Sequence, residues 1–208
     1  MPAILLIRHA ENDYLKTGKL AGRLPEVHLN AAGIQQAAAL SQHLQRAPKN
    51  ARVGALYSSP MERARETAQP LADALNLPVH IRPALNEIDF GDWQGQALKD
   101  LRRRKDWKTV QHRPSLFTFP NGESFYQAQQ RIVAELHSLA AQHAPKDVIA
   151  CFSHSDLIKL AICHFSAMPL DAFQRLIIAP ASVSTLLFNK DSVSVFNLNL
   201  VAAIHVEH

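Results

Sequence analysis

The stretch Ala3-Ile4-Leu5-Leu6-Ile7-Arg8-His9 is an apolar run of strand length that stops at a cation and an imidazole. An apolar run bounded in this way is typical of a short buried strand. Three later apolar runs also end in polar clusters, which are Ser58-Ser59-Pro60 with Arg63 just beyond, Asn86-Glu87, and Ser153-His154. Because the carboxyl ends of adjacent parallel strands open onto one crevice, these four clusters are expected to share a site.

Strand-like and helix-like stretches alternate along most of the chain. Strands are expected at Ala3–Ile7, Ala55–Tyr57, Val79–Ile81, Val148–Phe152, Ser182–Phe188 and Val193–Leu200, the last two joined by a turn at Asn189-Lys190-Asp191. Helices are expected at Ala31–Arg46 after an N-cap at Asn30, from Pro60 to about Leu75, and at Ser124–His143, Asp156–Phe165 and Leu170–Ile178. This order predicts an α/β fold, a three-layer α/β/α sandwich with a mostly parallel mixed sheet.

Helical spacing also predicts which side chains face the core. The helix after Asn30 is expected to bury Ile34, Ala37, Ser41 and Leu44. The long helix in the second half of the chain is expected to bury Phe125, Ala128, Ile132, Leu136 and Leu139.

The regular pattern loosens between the third and fourth predicted strands. Glycines and prolines punctuate residues 88–122, where one short helix is expected around Gln96–Arg104. With 208 residues the chain is long enough for a substantial core. Residues 1–208 are therefore expected to form a single domain, with 88–122 as an excursion that covers the pocket.

Composition limits the classes of function. Lys and Arg total 22 against 18 Asp and Glu, and the net charge of +4 suits an anionic small substrate but is weak support for nucleic acid binding. The basic run Arg102-Arg103-Arg104-Lys105 lies between Asp100 and Asp106, which favours a solvated helix face over a nucleic-acid contact, with attraction of carboxylated substrates as an open alternative. A signal-peptide pattern and a run near the roughly 20 apolar residues of a membrane span are both lacking. A cytoplasmic protein without nucleic acid or membrane partners is therefore expected.

Cysteine and histidine usage argues against a disulfide framework and a metal site. The two cysteines are Cys151, interpreted as a small buried hydrophobe rather than a nucleophile, and Cys163. Eleven histidines occur, but without a His-Glu-x-x-His motif or a paired-Cys zinc spacing. His205 and His208 are interpreted as incidental. Neither a metal nor a cofactor is expected.

The polar residues at the predicted strand ends suit phosphoryl transfer. Arg8 and Arg63 offer planar forks of donors that match a phosphate group and stay charged. His9 is best placed to attack phosphorus if one ring nitrogen is neutral, and we expect nearby positive groups to lower its pKa. Glu87 would donate a proton to the leaving oxygen and then activate water, while His154 would hydrogen-bond the transferring group.

Five fragments in order resemble the motifs of one family. They are Leu6-Ile7-Arg8-His9-Ala10-Glu11, Leu29-Asn30-x-x-Gly33-x-x-Gln36-Ala37, the run from Ser58 to Ala68, the run from Glu87 to Gly95, and Ser153-His154-Ser155. Together they span nearly the whole chain and resemble the histidine phosphatase superfamily, the phosphoglycerate-mutase-like proteins. The resemblance implies that fold, with His9 as the nucleophile that forms a phosphohistidine. It also implies phosphoryl binding by Arg8, Arg63 and His154, and acid–base catalysis by Glu87.

Two positions depart from the family pattern. The usual glycine after the first histidine is Ala10, and a polar residue that many relatives carry a few positions later falls at Leu15. Asn12 is a candidate for the missing contact. The candidate substrate-binding residues at the pocket rim are Asn12, Gly22, Arg23 and Ser155. For Gly22 the alternatives are a close backbone approach to the ligand and a plain turn.

The leading interpretation is a metal-independent phosphomonoester hydrolase that acts on a small phosphorylated metabolite through a phosphohistidine. A phosphoglycerate mutase is the first alternative. Hydrolysis is favoured because the segment after Glu87 is short and Gly91-Asp92-Trp93-Gln94-Gly95 is more similar to the phosphatase members. A non-catalytic binder of phosphorylated ligands on the same fold and a metal-dependent hydrolase are further alternatives. The sequence does not identify the natural substrate, and the exposed hairpin strands could support a homodimer.

Overall fold

The computed structural model describes residues 2–48 and 51–201, so His205 and His208 lie outside the described residues. Within these residues the sheet comprises β1 (Ala3–Arg8), β2 (Val53–Ser58), β3 (Val79–Ile81), β4 (Val148–Ser153), β5 (Ser182–Phe188) and β6 (Val193–Val201). The strand order is β3-β2-β4-β1-β5-β6. Strands β1 to β4 are parallel to one another, and β5 runs antiparallel to both β1 and β6. The predicted mostly parallel mixed sheet is confirmed.

Helices connect the strands at close to the predicted positions. They are α1 (Asp13–Lys16), α2 (Ala31–Gln45), α3 (Glu62–Leu75), α4 (Leu98–Leu101), α5 (Trp107–His112), α6 (Phe125–Gln142) and α7 (Ser155–Phe165). The Asn30 side chain caps α2 by accepting from the backbone N–H of Gly33. Ser124 and Gln127 form a capping box at the start of α6. Each cap satisfies backbone donors that the first turn of a helix leaves free.

Two apolar cores lie on opposite faces of the sheet. In β1, Ile4 and Leu6 pack with α6 and α7, whereas Ile7 packs on the other face with α2 and α3. This alternation follows from the two-residue period of a strand. Burying one Ile or Leu side chain fully contributes about 1.5–3 kcal/mol to the free energy of unfolding. The five residues predicted for the buried face of α6 all lie in its core, which confirms both that face and the three-layer arrangement.

Three expectations about the helices were wrong in detail. Ile34 is 61% exposed, because Gly33 takes its place against the rest of the molecule. A Cβ atom on Gly33 would lie 2.0 Å from the Glu11 carbonyl oxygen, so this close approach rotates the buried face of α2. Pro60 precedes α3, whose N-cap is the extended residue Met61. Of the predicted helix Leu170–Ile178, only Leu170–Arg175 is helical, as a 3-10 turn, and the next residue, Leu176, is extended.

Residues 88–122 hold more local structure than the single predicted helix around Gln96–Arg104. This segment contains α4, α5 and two 3-10 turns. Its two ends meet at Gly91, which has φ of +48° and where a Cβ would lie 2.0 Å from the carbonyl oxygen of Pro120. Within it, the Trp93 ring packs against Phe119 at a centroid distance of 5.3 Å. The assignment of 1–208 to one domain stays a prediction.

Two features of the described residues bear on membrane and metal binding. None of their helices combines the length and apolar character that a membrane crossing requires. A grouping of three or more His, Cys, Asp and Glu side chains suited to a metal ion was also not found among them.

Candidate active site

The carboxyl ends of the parallel strands border a cavity of about 270 Å³. Arg8 and His9 line it from the end of β1, Arg63 from the first turn of α3, and Glu87 from the loop after β3. His154, between β4 and α7, is fully buried, with its ring centroid 5.2 Å from that of His9. The structure thus brings together the five residues that the sequence assigned to one phosphate site.

His9 is held as an imidazole with one free ring nitrogen. Its Nδ1 lies 2.8 Å from the carbonyl oxygen of Ala10, which can only accept a hydrogen bond, so Nδ1 carries the proton. Nε2 of the neutral ring therefore keeps its lone pair, as a nucleophile requires. Burial lowers the pKa of His9 well below its usual value, and Arg63 and Arg8 lower it further. Burial, rather than the neighbouring positive charge that we expected, is the larger cause.

Each of the two arginines is anchored through one nitrogen. Arg8 donates from Nη1 to the carbonyl oxygen of Ile178 at 2.6 Å, and Arg63 donates from Nη2 to that of Gly22 at 2.6 Å. Within the described residues, Arg8 Nε and Arg63 Nε and Nη1 are buried without an acceptor. Burial lowers the pKa of both guanidinium groups, and the nearby Glu87 carboxylate opposes that shift. Because unsatisfied buried donors are costly, these nitrogens favour an anionic ligand.

Glu87 is a buried carboxyl whose charged form is disfavoured. Its Oε1 accepts a hydrogen bond from the backbone N–H of Ile88 at 2.9 Å, and its Oε2 lies 4.0 Å from Nδ1 of His154. Burial raises the pKa of Glu87 to about 7, and the Asp156 carboxylate adds to the rise, against the opposing effects of the Ile88 hydrogen bond and the two arginines. A carboxyl that titrates near neutral pH can donate a proton and later take one back.

A chain of hydrogen bonds orients His154. Arg63 Nη2 can only donate, so His154 Nδ1 accepts from it at 3.3 Å, and Nε2 donates to Ser59 Oγ at 2.8 Å. Ser59 Oγ donates in turn to Oδ1 of Asn86 at 3.3 Å, and this oxygen also accepts from the backbone N–H of Glu87 at 2.9 Å. Burial, with a further contribution from Arg63, lowers the pKa of His154 well below its usual value. A direct hydrogen bond from His154 to the transferring group stays a prediction, since both ring nitrogens have protein partners.

Sequence reasoning did not single out Ser59, Asn86 or Asp156 as functional. Ser59 and Asn86 stand in the strand-end clusters, so the rule that found Arg63 and Glu87 would have found them too. Asp156 lies in the first turn of α7, lines the cavity and pairs with a lysine in the next turn. Its position directly after Ser153-His154-Ser155 was the available signal.

Two arginines and one glutamate clamp the loop that carries Glu87. Arg23 Nε donates to the backbone carbonyl of Glu87 at 2.8 Å, and Arg131 donates to the carbonyls of Ala84 and Asn86 at 2.7 and 2.9 Å. Glu123 Oε1 accepts from both guanidinium groups, at 2.8 Å from Arg23 and 2.6 Å from Arg131. The clamp therefore holds the backbone from which the Glu87 carboxyl projects.

The four candidate substrate-binding residues have different placements. Asn12, Gly22 and Ser155 line the cavity, whereas Arg23, in the described part of the chain, does not. Asn12 is buried, and its Oδ1 caps α1 by accepting from the backbone N–H of Leu15. Gly22 has φ of +55° and presents its carbonyl to Arg63. The guanidinium nitrogens of Arg23 donate hydrogen bonds to Glu87, Asp89 and Glu123. Substrate contacts for this set stay predictions.

The two departures from the family pattern fit their surroundings. Ala10 is fully buried outside the left-handed region and donates its backbone N–H to Thr67 Oγ1 at 2.9 Å, so a methyl group is accommodated there. Leu15 is 37% exposed and lies on the cavity lining.

Two other features have the surroundings that the sequence indicated. The basic run Arg102-Arg103-Arg104-Lys105 faces solvent, and Arg104 stacks over the Trp93 ring at 5.3 Å. Burial raises the pKa of Cys151, in keeping with its interpretation as inert.

These features of the site define a class of protein. An α/β sheet whose strand ends carry a free imidazole nitrogen, two guanidinium groups and a carboxyl of raised pKa is built for phosphoryl transfer. Residues 4–201 match the model of the family described as histidine phosphatase superfamily (branch 1). The chain therefore belongs to this superfamily, and it is a phosphomonoesterase by enzyme class.

Three similar proteins illustrate the range of the family. Phosphoserine phosphatase 1 of Hydrogenobacter thermophilus is 27% identical over 96% of this chain and 93% of its own. The adenosylcobalamin/alpha-ribazole phosphatase of Escherichia coli is 31% identical over 80% of both chains. The structure of a phosphoserine phosphatase mutant from Entamoeba histolytica in complex with phosphoserine is 26% identical, covers 96% of this chain and 97% of that chain, and has a TM-score of 0.84. The predicted phosphoglycerate-mutase-like fold is confirmed.

Proposed function

We propose that the protein hydrolyses small phosphate monoesters without a metal ion, through a phosphohistidine at His9. The observation that carries this proposal is the neutral His9 ring with Nε2 free among Arg8, Arg63 and the Glu87 carboxyl. The arginines supply the positive charge that a metal ion would otherwise provide for the phosphoryl oxygens. Phosphoryl transfer needs little else from a protein beyond positioning and charge.

The first half-reaction uses His9 and protonated Glu87. His9 Nε2 attacks phosphorus, the bond between phosphorus and the ester oxygen breaks, and Glu87 gives its proton to that oxygen so that a neutral alcohol leaves. The bound dianion also favours the protonated form of Glu87, because a nearby negative charge raises the pKa of a carboxyl. Arg8 and Arg63 bind the oxygens of the transferring group throughout.

The second half-reaction restores the enzyme. The Glu87 carboxylate takes a proton from water while the water oxygen attacks phosphorus, and the bond between phosphorus and Nε2 breaks. Inorganic phosphate leaves, His9 is neutral again and Glu87 is protonated again. One residue thus acts as acid and then as base, as microscopic reversibility permits.

Hydrolysis is favoured over the alternatives by the relatives, several of which are named as phosphatases of phosphoserine or alpha-ribazole. A mutase would return the phosphoryl group to a second hydroxyl, so brisk turnover of 3-phosphoglycerate without phosphate release would support it. Phosphate or vanadate binding without turnover between pH 5 and 8 would support a pure binder. Loss of activity in a chelator would support a metal-dependent hydrolase.

The direct test is rapid quenching of the enzyme with a ³²P-labelled monoester. We expect label that survives alkali and is lost in acid, and peptide mapping should assign it to His9. Label on another amino acid would contradict the proposed intermediate. A parallel sample in a chelator should release phosphate at the same rate. The cytoplasmic location, the homodimer and the pocket-covering role of 88–122 stay predictions.

A further inference from the structure

The cavity extends beyond the phosphate site into an apolar chamber. Its wall carries the aromatic side chains Tyr14, Phe90, Trp93, Trp107, Phe119 and Phe125. Four of the six come from the stretch 90–119, which also contributes Leu98 and Val110. Trp93 and Trp107 stack with a centroid distance of 6.4 Å and an interplanar angle of 16°. Nothing in the proposed chemistry uses these side chains, and their place on the lining puts them beside the group to which the phosphate would be attached.

The charges along this wall do not favour a leaving alcohol that carries a carboxylate. Among the described residues that line the cavity, Lys19 is the one cationic side chain apart from Arg8 and Arg63. Lys19 is exposed, and its Nζ lies 5.9 Å from the centroid of the Tyr14 ring. Asp156 adds a carboxylate near Arg8 and Glu87. A carboxylate on the substrate would lose its hydration against aromatic rings without a guanidinium partner there, and such a loss is costly.

The size of the cavity limits the occupant further. A cavity of roughly 150 Å³ holds one benzene molecule. The volume here, about 270 Å³, therefore has room for a phosphoryl group and one ring. Aromatic walls favour a ring, since offset and edge-to-face contacts add to the burial of apolar surface.

We infer that the preferred substrates are monophosphates of alcohols with an uncharged aromatic or apolar body. The inference rests on the proposed function, because it concerns the leaving group of that reaction. It separates this protein from a phosphatase that selects phosphorylated amino acids or sugar acids through their carboxylates. The distinguishing structural feature is the pairing of an end lined by Arg8 and Arg63 with a wall of aromatic rings.

Three esters of primary alcohols test the inference with similar leaving-group chemistry, namely ethyl phosphate, 2-phenylethyl phosphate and O-phospho-L-serine. We expect kcat/KM for 2-phenylethyl phosphate to exceed both others by about 10-fold or more, the range that one well-filled apolar pocket provides. An equal or higher value for phosphoserine would overturn the inference and leave the proposed function intact. Absence of phosphate release from all three would instead overturn the proposed function.

Variants test whether the aromatic side chains of the lining cause this substrate preference. Trp107→Ala should lower the ratio of kcat/KM for 2-phenylethyl phosphate over ethyl phosphate by about 10-fold. Phe196→Ala, a matched aromatic truncation at a side chain that is 69% exposed on β6, should leave the ratio unchanged. Gln111→Arg, which adds a guanidinium to the lining, should raise the relative kcat/KM for phosphoserine. An unchanged ratio in a folded, phosphate-binding Trp107→Ala, or no gain in Gln111→Arg, would contradict the inference.

Discussion

The cavity has a phosphate end, lined by Arg8, His9, Arg63 and Glu87, and an aromatic end, lined mainly by rings from 88–122. Different forces hold these two ends in place. At the phosphate end, Arg8, His9 and Arg63 each donate a hydrogen bond to a backbone carbonyl. Arg8 and His9 lie at the end of β1, whose level is set by its register with β4, and Arg63 projects from the first turn of α3. At the aromatic end, rings from 88–122 hold one another by packing, as in the contact of Trp93 with Phe119. Hydrogen bonds are directional, whereas ring packing tolerates substitution of similar volume.

This difference assigns separate tasks to the two ends. Small displacements of a nucleophile are costly to a reaction, so the reacting groups benefit from attachment to the rigid sheet. Selectivity for the leaving group tolerates more variation, and by our inference it depends on the rings that 88–122 contributes to the cavity. Substitutions at the phosphate end should therefore change kcat, whereas those in the ring wall should change the choice of ester.

The largest effect is expected for His9→Ala. Loss of the nucleophile should lower kcat by roughly four orders of magnitude or more, while phosphate binding by the arginines stays within about tenfold of wild type. Steady-state kinetics and phosphate titration measure the two quantities. The matched control His80→Ala removes an exposed imidazole on β3 and should retain activity. Equal losses in both variants would show that the phosphate end does not act through His9.

Glu87→Gln should give the next largest effect. Loss of a general acid lowers kcat by about 10²–10⁴-fold, and the loss should be smaller for p-nitrophenyl phosphate, whose leaving group needs no proton. Burial raises the pKa of Glu87 to about 7, so wild-type kcat/KM for alkyl esters should fall as pH rises above about 7. The variant should lack this alkaline limb. If the fall in kcat/KM above about pH 7 persists in Glu87→Gln, a group other than Glu87 causes it.

The same pKa shift predicts how stability depends on pH. The pKa of Glu87 is raised in the folded protein from its usual 4.5 to about 7, so the folded protein binds this proton more tightly than the unfolded chain does. The resulting contribution of Glu87 to the free energy of unfolding is full below pH 4.5 and is lost as pH rises through about 7. Wild type should lose on the order of 3 kcal/mol or less between pH 5 and 8 in urea unfolding, and Glu87→Gln should lose less. Glu135→Gln leaves Glu87 in place and should show the wild-type fall.

The sequence predicted that the residues of the phosphate end lie together, because the signals for them are local. Arg8 and His9 directly follow an apolar strand, and a parallel sheet necessarily gathers such strand ends at one edge. Arg23 was harder, because its partner Glu123 lies 100 positions away and nothing near either residue signals the pairing. Ile34 was placed in the core because a helical period cannot register that Gly33 approaches the Glu11 backbone.

Glu123→Gln tests whether the phosphate end depends on the clamp around the Glu87 loop. Removing the charge leaves Arg23 and Arg131 without their shared carboxylate, so the Glu87 backbone should shift. We expect kcat to fall about 10-fold with KM little changed, since a misplaced acid weakens transition-state contacts. The alkaline limb should also move. Glu135→Gln removes a similar ion pair, with Arg82, and a matching fall there would indicate a general loss of stability instead.

The smallest effect is expected for Arg104→Ala, at the outer side of the ring wall. Arg104 is exposed, does not line the cavity and stacks over Trp93 at 5.3 Å. A cation–π contact at an exposed site is worth about 0.5–1 kcal/mol, so urea unfolding should show a loss of that size. Arg103→Ala is the matched control, because its side chain is 83% exposed and lies 3.8 Å from Asp100 in a weak surface pair. Since Arg104 does not line the cavity, kcat for ethyl phosphate should be unchanged. A large fall in kcat would show instead that the two ends of the cavity are mechanically coupled.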